Sequence, residues 1–181
     1  SWQLYGEAMV FGFGRCYTVA PSFRAEKSRT RRHLTEYWHL EAEAPWCDLD
    51  CVMKIQESLL EHIFRVLIEK ASKELEVFGR PSEELSKMMP PFQRIHYNEV
   101  IEILAKKGVH IKYGDDLGWL EEKQLTEEYS KPFFVTHFPK GIKAFYHKSD
   151  PENPEVTLSA DLLAPEGYGE ITGGGQRIHE I

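Results

Sequence analysis

The feature that most constrains the fold is a pair of alternating segments on either side of a short, strongly basic loop. Residues 16–24 and 34–44 place apolar and polar side chains in turn, with the period of two that is typical of half-buried strands. Because a polar, charged loop joins them, the two segments are predicted to pair as an antiparallel hairpin with a long loop. The sequence therefore predicts an antiparallel β unit near its start.

Segments whose apolar residues have helical spacing precede and follow this hairpin in the sequence. Residues 2–10 show a helical pattern, and Asp48 is a candidate N-cap for a long amphipathic helix over residues 49–75. A further helix is predicted over residues 97–107, where Gly108 ends it. A weaker pattern predicts another over residues 119–129.

The remaining segments are β-like. Strands are predicted over residues 132–138, 142–147, 156–163 and 168–172. Together with the helices they predict an α+β fold in which an antiparallel β-sheet is flanked by helices. The aromatic side chains Trp46, Phe64, Trp119 and Phe133 are interpreted as core residues.

Length and composition limit the class of protein. The 181 residues are enough for one sizeable core, and 41% of them are hydrophobic with no apolar run near the ~20 residues of a membrane span. We therefore expect one domain, or the larger part of one, with no membrane association and a cytoplasmic location. The three cysteines are interpreted as thiols because their number is odd and too small for a disulfide scaffold.

The net charge of -7 conceals a local reversal of sign in the hairpin loop. Basic residues crowd into residues 24–32 beside the acid Glu26: Arg24, Lys27, Arg29, Arg31 and Arg32. Guanidinium groups bind phosphate oxygens through two parallel donors, and Tyr37 offers a ring on which adenine could stack. The alternative interpretation is that these basic residues are simply solvated.

Four ordered motifs decide between these interpretations. FRAE and RHLTEY, on either side of the loop, resemble the second signature motif of class II aminoacyl-tRNA synthetases of the aspartyl and asparaginyl subgroup. WQLYGE near the start, PFFVTHFPKGIKAFY in the middle and DLLAPEGYGEITGGGQRI at the end extend the resemblance over essentially the whole chain. It implies the class II catalytic core fold and ATP binding.

The resemblance assigns roles in the hairpin. Arg24 would contact the α-phosphate of ATP and the substrate carboxylate, as the catalytic residue. Glu26 would lie near the adenine amino group or the tRNA end, Arg32 or His33 would hold the γ-phosphate, and Tyr37 would stack on the base. Fixed charges of this kind stabilise the charge that develops at phosphorus.

The second half of the expected site lies near the end of the chain. The resemblance gives Asp161 and Glu170 the role of Mg²⁺ ligands and places Glu170 among the ATP-binding residues. Mg²⁺ favours one or two carboxylates together with phosphate oxygens and water. The run of glycines at residues 173–175 would allow close approach of the backbone to a ligand.

An enzyme must distinguish aspartate from asparagine by side-chain charge, because the two amino acids are nearly isosteric. Aspartyl enzymes carry a lysine three residues after the glutamine of QL, and this chain has Gly6 there. The resemblance therefore favours asparagine, with Arg177 donating to its amide oxygen, Glu7 accepting from its amide nitrogen and Gln3 contacting its α-amino group. No contact is assigned to Lys143.

The expected function is ATP-dependent activation of asparagine to asparaginyl-adenylate, followed by transfer to tRNA(Asn). The strings HFPKGIKAFY and GGGQRI also look asparaginyl, and they are similar to the archaeal form. Two alternatives stay open: an asparagine synthetase built on the same core, which uses aspartate and ammonia, and a non-catalytic relative that binds a partner.

The expected domain content is partial. Residues 1–181 are interpreted as a class II catalytic domain that includes the second signature motif, without the first and third motifs or an N-terminal anticodon-binding domain. Full-length class II proteins of this kind form homodimers through the first motif, and their third motif carries an arginine that clamps ATP. We therefore expect these residues alone to give little or no asparagine-dependent ATP–pyrophosphate exchange.

Overall fold

A computed structural model describes residues 2–25 and 34–179, with residues 2 and 3 described by their backbone alone. The chain divides into two compact units, Ser1–Cys47 and Asp48–Ile181. The roles expected for Glu26, Arg32 and His33 fall outside the described residues, as does the contact expected for the side chain of Gln3.

The first unit contains a helix and the expected hairpin. Helix α1 spans Trp2–Phe13, and strands β1 (Cys16–Phe23) and β2 (Glu36–Glu43) pair antiparallel in regular register. The pairing continues one step beyond β1, where the Arg24 amide donates to the Thr35 carbonyl at 2.9 Å. Burial alternates along both strands, and α1 contacts each of them. The hairpin prediction is confirmed.

The second unit opens with a long helix, α2 (Leu49–Lys70), whose N-cap is Asp48 as the sequence predicts. The Asp48 carboxylate accepts from the Cys51 amide at 2.8 Å, which satisfies one of the free donors of the first turn. The helix is shorter than predicted, because Ala71 leaves helical geometry and a separate short helix, α3 (Ser72–Val77), follows.

Three more helices follow in this unit: α4 (Ser82–Lys87), α5 (Tyr97–Lys106) and α6 (Trp119–Thr126). Helices α5 and α6 were predicted within a few residues of these bounds, whereas α4 was not predicted. The sequence gives little signal for α4, since its six residues bury a single apolar side chain, Leu85.

A sheet in the order β3-β4-β5-β6 lies at the centre of the second unit. Its strands are β3 (Gln93–His96), β4 (Phe133–Thr136), β5 (Ser159–Ala164) and β6 (Gly169–Gly175). β4, β5 and β6 pair antiparallel, but β3 pairs parallel to β4, so the expectation of a wholly antiparallel sheet is wrong at this edge. β3 is too short for a pattern to reveal it, with Ile95 as its buried residue.

The strand predicted over residues 142–147 is also wrong. A 3₁₀ turn, Lys140–Ile142, and irregular backbone occupy this segment, and His147 makes only an isolated bridge to Arg177. Pro139 and Gly141 favour a turn over a continued ladder, and Phe145, which supplied much of the β signal, is 92% exposed.

Apolar side chains cover both faces of the sheet, so alternate residues of β5 enter different cores. Leu163 packs with α5 and α6, whereas Ala160 and Leu162 pack with α2. Phe133 is fully buried and Phe64 packs against the core, as predicted, but Trp46 is 99% exposed and Trp119 36% exposed, so those two predictions are wrong. Because of this alternation, a side chain of β5 can contact only those side chains of β6 that lie on the same face of the sheet.

Cys16 is a free thiol, whereas Cys47 and Cys51 are disulfide-bonded, so the interpretation of three thiols is wrong. None of the helices in residues 2–25 and 34–179 has the length and apolarity to cross a membrane.

Candidate functional site

A β-bulge between β5 and β6 brings the two expected metal ligands to one face of the sheet. Asp161 pairs with Gly173 and Leu162 with Thr172, but Leu163 pairs with Glu170, so Ile171 is the extra residue. In an unbroken ladder Glu170 would point to the face opposite Asp161, because side chains alternate along a strand. The bulge reverses this and places both carboxylates on the same face.

Gly173 lies between the two carboxylates. A Cβ atom built on Gly173 would stand 2.8 Å from Oε1 of Glu170 and 3.0 Å from Oδ1 of Asp161. Both distances are shorter than ordinary contacts, so the side-chain space at Gly173 is the space that the two carboxylates border. The glycine leaves an open cradle between them.

Lys143 supplies a positive charge at this cradle. Its Nζ donates to Oδ2 of Asp161 at 2.5 Å, and the two side chains are only 16% and 13% exposed. The same Nζ lies 3.9 Å from the centre of the Phe138 ring, which is buried in the core. The ammonium group is therefore held between a carboxylate and an aromatic face.

Glu122 connects helix α6 to the same strand. Its Oε2 accepts from the backbone amide of Glu170 at 2.9 Å, and the residue is 7% exposed. This hydrogen bond holds β6 next to its bulge, where the regular ladder is interrupted. Glu122 thus fixes the backbone that carries Glu170 and adds negative charge to the cradle.

The carboxyl groups share an environment that favours their neutral forms. Burial raises the pKa of Asp161 above its ordinary value, although the Lys143 ammonium opposes the shift. Burial and the charge of Asp161 raise the pKa of Glu170 from 4.5 to about 7, even though part of the Glu170 side chain is open to solvent. A cation entering the cradle would relieve both effects.

The donor set fits a magnesium ion that keeps part of its hydration. Among the described residues, no group of three or more His, Cys, Asp or Glu side chains is arranged to enclose a metal. Mg²⁺ does not require such a cage, since it is usually held by one or two carboxylates with substrate phosphates and water. Asp161 and Glu170, on either side of an open glycine, meet that requirement.

Arg177 follows β6 closely and lies beside aromatic side chains. Its guanidinium carbon is 4.8 Å from the centre of the Tyr146 ring, and its backbone bridges to His147. Burial lowers the pKa of His147, and the charges of Lys143 and Arg177 lower it further. His147 therefore favours its neutral form, and the Arg177 guanidinium lies over the Tyr146 ring near the end of β6.

The first unit holds the hairpin residues of the expected nucleotide site that the structure describes. Arg24 is exposed just beyond β1, and its guanidinium carbon lies 6.0 Å from the centre of the Tyr37 ring. Tyr37 is on β2, opposite Ser22. Glu7 lies exposed on α1, and Gly6, one residue before it, is buried with its carbonyl accepting from the Cys16 thiol at 3.7 Å.

The structure thus brings Asp161 together with Glu170, and Arg24 together with Tyr37. Two residues of the cradle were missed, Lys143 as a partner of Asp161 and Glu122 as a partner of Glu170. No pattern in the sequence indicates either contact, because each joins residues far apart in the chain.

The fold and these motifs define a class of protein. The family described as "tRNA synthetases class II (D, K and N)" matches residues 1–181, and the chain belongs to that family. The fold expected from the resemblance is confirmed.

Individual relatives narrow the similarity to the asparaginyl branch. The chain is 55% identical over 177 residues to the asparagine–tRNA ligase of Pyrococcus furiosus, covering 98% of this chain and 41% of that protein. It matches the crystal structure of asparaginyl-tRNA synthetase from Pyrococcus horikoshii complexed with asparaginyl-adenylate, with TM-score 0.94, 54% identity, and coverage of 98% and 41%.

An aspartyl enzyme is more distant. The aspartyl-tRNA synthetase of Entamoeba histolytica matches with TM-score 0.83 and 33% identity, covering 99% of this chain and 38% of that one. The chain thus spans about two fifths of the length of the relatives that it matches.

Proposed function

We propose that this chain is part of the catalytic domain of an enzyme that activates asparagine with ATP and transfers it to tRNA(Asn). The observation that carries the proposal is the bulge-built pair Asp161 and Glu170, in a chain 54% identical to an asparaginyl-tRNA synthetase solved with its adenylate. Homodimerisation of the full-length protein and a cytoplasmic location are part of the same proposal.

The first reaction joins asparagine to AMP. The carboxylate oxygen of asparagine attacks the α-phosphorus of ATP, the bond to the bridging oxygen breaks, and pyrophosphate leaves. Arg24 stabilises the negative charge that gathers on the α-phosphate oxygens and holds the attacking carboxylate against it. The substrate supplies its own nucleophile, so the protein contributes position and charge.

Mg²⁺ would be held by Asp161 and Glu170, and when bound it supplies charge neutralisation for the phosphates of ATP. Glu170 must be ionised to serve as a ligand, and its pKa of about 7 makes this group sensitive to pH near neutrality. Glu122 keeps the Glu170 backbone in place through its hydrogen bond to the amide.

The hairpin residues are proposed to bind the rest of the nucleotide. Tyr37 stacks on adenine, and the pairing of β2 with β1 holds its backbone in place. Arg32 or His33 holds the γ-phosphate, and Glu26 lies near the adenine amino group or the tRNA end. In the second reaction a hydroxyl at the 3′ end of the tRNA attacks the asparaginyl carbonyl, and AMP leaves.

Selection of asparagine rests on a matched donor and acceptor. Arg177 donates to the amide oxygen, Glu7 accepts from the amide nitrogen, and Gln3 contacts the α-amino group. A lysine at position 6 would favour the second carboxylate of aspartate, and the buried Gly6 of α1 supplies no such charge.

The test is the binding of non-hydrolysable sulfamoyl analogues of asparaginyl- and aspartyl-adenylate to the 181-residue chain, measured by isothermal titration calorimetry. A preference of tenfold or more for the asparaginyl analogue is expected. Arg177→Leu should remove most of that preference, whereas the exposed Lys140→Met should leave it intact.

Preference for the aspartyl analogue would refute the choice of amino acid. It would favour the asparagine synthetase alternative, which activates aspartate and lets ammonia attack the acyl carbon. An assay with aspartate, ammonium and ATP identifies that reaction directly, because it releases free asparagine without tRNA.

A further inference from the structure

The Lys143 ammonium group is held in place beside the cradle by contacts with two side chains. Its Nζ is 2.5 Å from Oδ2 of Asp161 and 3.9 Å from the centre of the buried Phe138 ring, with the ion pair largely shielded from water. An ion pair shielded in this way is not an incidental surface contact, because both charges have lost most of their hydration. The fold therefore keeps one positive charge at this point.

The surroundings of Lys143 are strongly acidic. The negative charges that act on Asp161 include those of Asp116 and Glu122, and the same two groups act on Glu170. Lys143 offsets this negative charge, because its Nζ lies 2.5 Å from Oδ2 of Asp161, and Glu170 borders the same space at Gly173 as Asp161 does. The two proposed metal ligands therefore share Lys143 as a positive neighbour within the protein itself.

A divalent cation would compete for the same carboxylate. Oδ1 of Asp161 faces the cradle beside Gly173, whereas Oδ2 is engaged by the ammonium. Two cations on one carboxylate repel each other, so each lowers the affinity of the other. Lys143 therefore reduces the free energy of binding that the ion gains from Asp161.

We propose that Lys143 is a positioning residue that serves as a resident cation. It holds the Asp161 carboxylate in place before a divalent ion arrives, and its charge keeps the affinity of the cradle for that ion low. The proposal rests on the proposed metal role of Asp161 and Glu170. It implies that the protein binds the bare ion weakly.

The experiment measures binding of Mn²⁺, a magnetic substitute for Mg²⁺, to the 181-residue chain without nucleotide. Free Mn²⁺ is followed by electron paramagnetic resonance at pH 8, above the pKa of about 7 of Glu170. Lys143→Met removes the charge and Lys143→Gln removes it while keeping a hydrogen-bond donor. Lys140→Met is the matched control, since it removes an exposed positive charge three residues away.

Both neutral variants are expected to bind Mn²⁺ about tenfold or more tightly than the original chain, while Lys143→Arg and Lys140→Met change the affinity by less than about threefold. Asp161→Asn should abolish the binding. Urea unfolding supplies a second readout: Lys143→Gln should be less stable without metal and should recover more stability from Mn²⁺ than the original chain does.

Two outcomes overturn the inference in distinguishable ways. If Asp161→Asn abolishes binding but the neutral variants bind Mn²⁺ equally or more weakly, Lys143 only supports the structure of the cradle and the metal role survives. If no variant shows Mn²⁺ binding that depends on Asp161, the metal role within the proposed function is wrong, and the resident cation with it.

Discussion

Gly173→Ala should weaken divalent-cation binding strongly while leaving the fold nearly unchanged. The alanine Cβ would enter the cradle between Glu170 and Asp161, at 2.8 Å and 3.0 Å from their nearest oxygens. Gly173 does not adopt a left-handed φ, so alanine is compatible with the backbone there. The effect of the substitution is therefore confined to the two carboxylates.

The magnitude follows from these distances. An ordinary contact begins near 3.4 Å, so the Glu170 and Asp161 oxygens must retreat by about 0.6 and 0.4 Å. Both are side-chain ends, which places the loss of unfolding free energy at the lower end of the roughly 1–3 kcal/mol that overpacking costs. Mg²⁺ demands oxygen distances close to ~2.0–2.1 Å, so we expect about a 10- to 100-fold loss of affinity.

The next residue provides the control. A Cβ on Gly174 would approach Gln56 and Val52 of α2, at 3.1 and 3.2 Å, on the face of the sheet opposite the cradle. Gly174→Ala is therefore expected to lose a similar amount of unfolding free energy without changing cation affinity. Urea unfolding gives the first quantity, and Mn²⁺ binding followed by electron paramagnetic resonance gives the second.

Two results would refute this reasoning. Unchanged Mn²⁺ affinity in Gly173→Ala would mean that the ion does not use the space between the carboxylates. An equal loss of affinity in Gly174→Ala would mean that the glycine run acts through general packing and not through the cradle.

Three further predictions concern pH and stability. Because Glu170 has a folded pKa of about 7 against an ordinary 4.5, the folded state holds its proton more tightly, and unfolding free energy falls as pH rises from 4.5 to 7. Glu170→Gln should flatten that fall in urea titrations across the window, and an unchanged slope would contradict the assignment. Asp48→Ala removes the cap of α2 and should cost about 1 kcal/mol by urea unfolding, whereas Asp48→Ser should cost less. Arg80 donates to Glu166 and lowers its pKa, so the pair adds stability above pH 4.5 that is lost as pH falls. Arg80→Met should remove this acid-dependent part, which is under about 1 kcal/mol because the pair is partly exposed, and a larger loss at neutral pH would show a different role.

Much of the secondary structure could be predicted from the sequence because its signals are local. The cap at Asp48 and the period of two in the hairpin each depend on residues within a few positions of one another. Strand β3 could not be predicted in this way, since its four residues are defined by parallel pairing with β4, some forty positions later. The β-like stretch at residues 142–147 failed for the converse reason: within residues 2–25 and 34–179 a 3₁₀ turn and one isolated bridge take the place of a paired strand.

For the candidate site, too, local features could be predicted from the sequence and long-range contacts could not. The types of residue at Asp161 and Glu170 are indicated by the family resemblance, but their shared face depends on a bulge that strand periodicity hides. Simple alternation, with the two strands paired in regular register, would have placed the carboxylates on opposite faces. Lys143 and Glu122 were missed because an ion pair and a side-chain contact to a distant amide leave no trace in a linear pattern.

The bulge at Ile171 also sets where this protein can gain or lose residues. The turn between β5 and β6 lies outside the ladder, so length changes there leave Asp161 and Gly173 opposite each other. A single insertion or deletion between Glu170 and Gly173 would instead turn one carboxylate to the far side of the sheet. Natural variants of this segment should therefore differ in turn length while keeping the count from Glu170 to Gly173 constant.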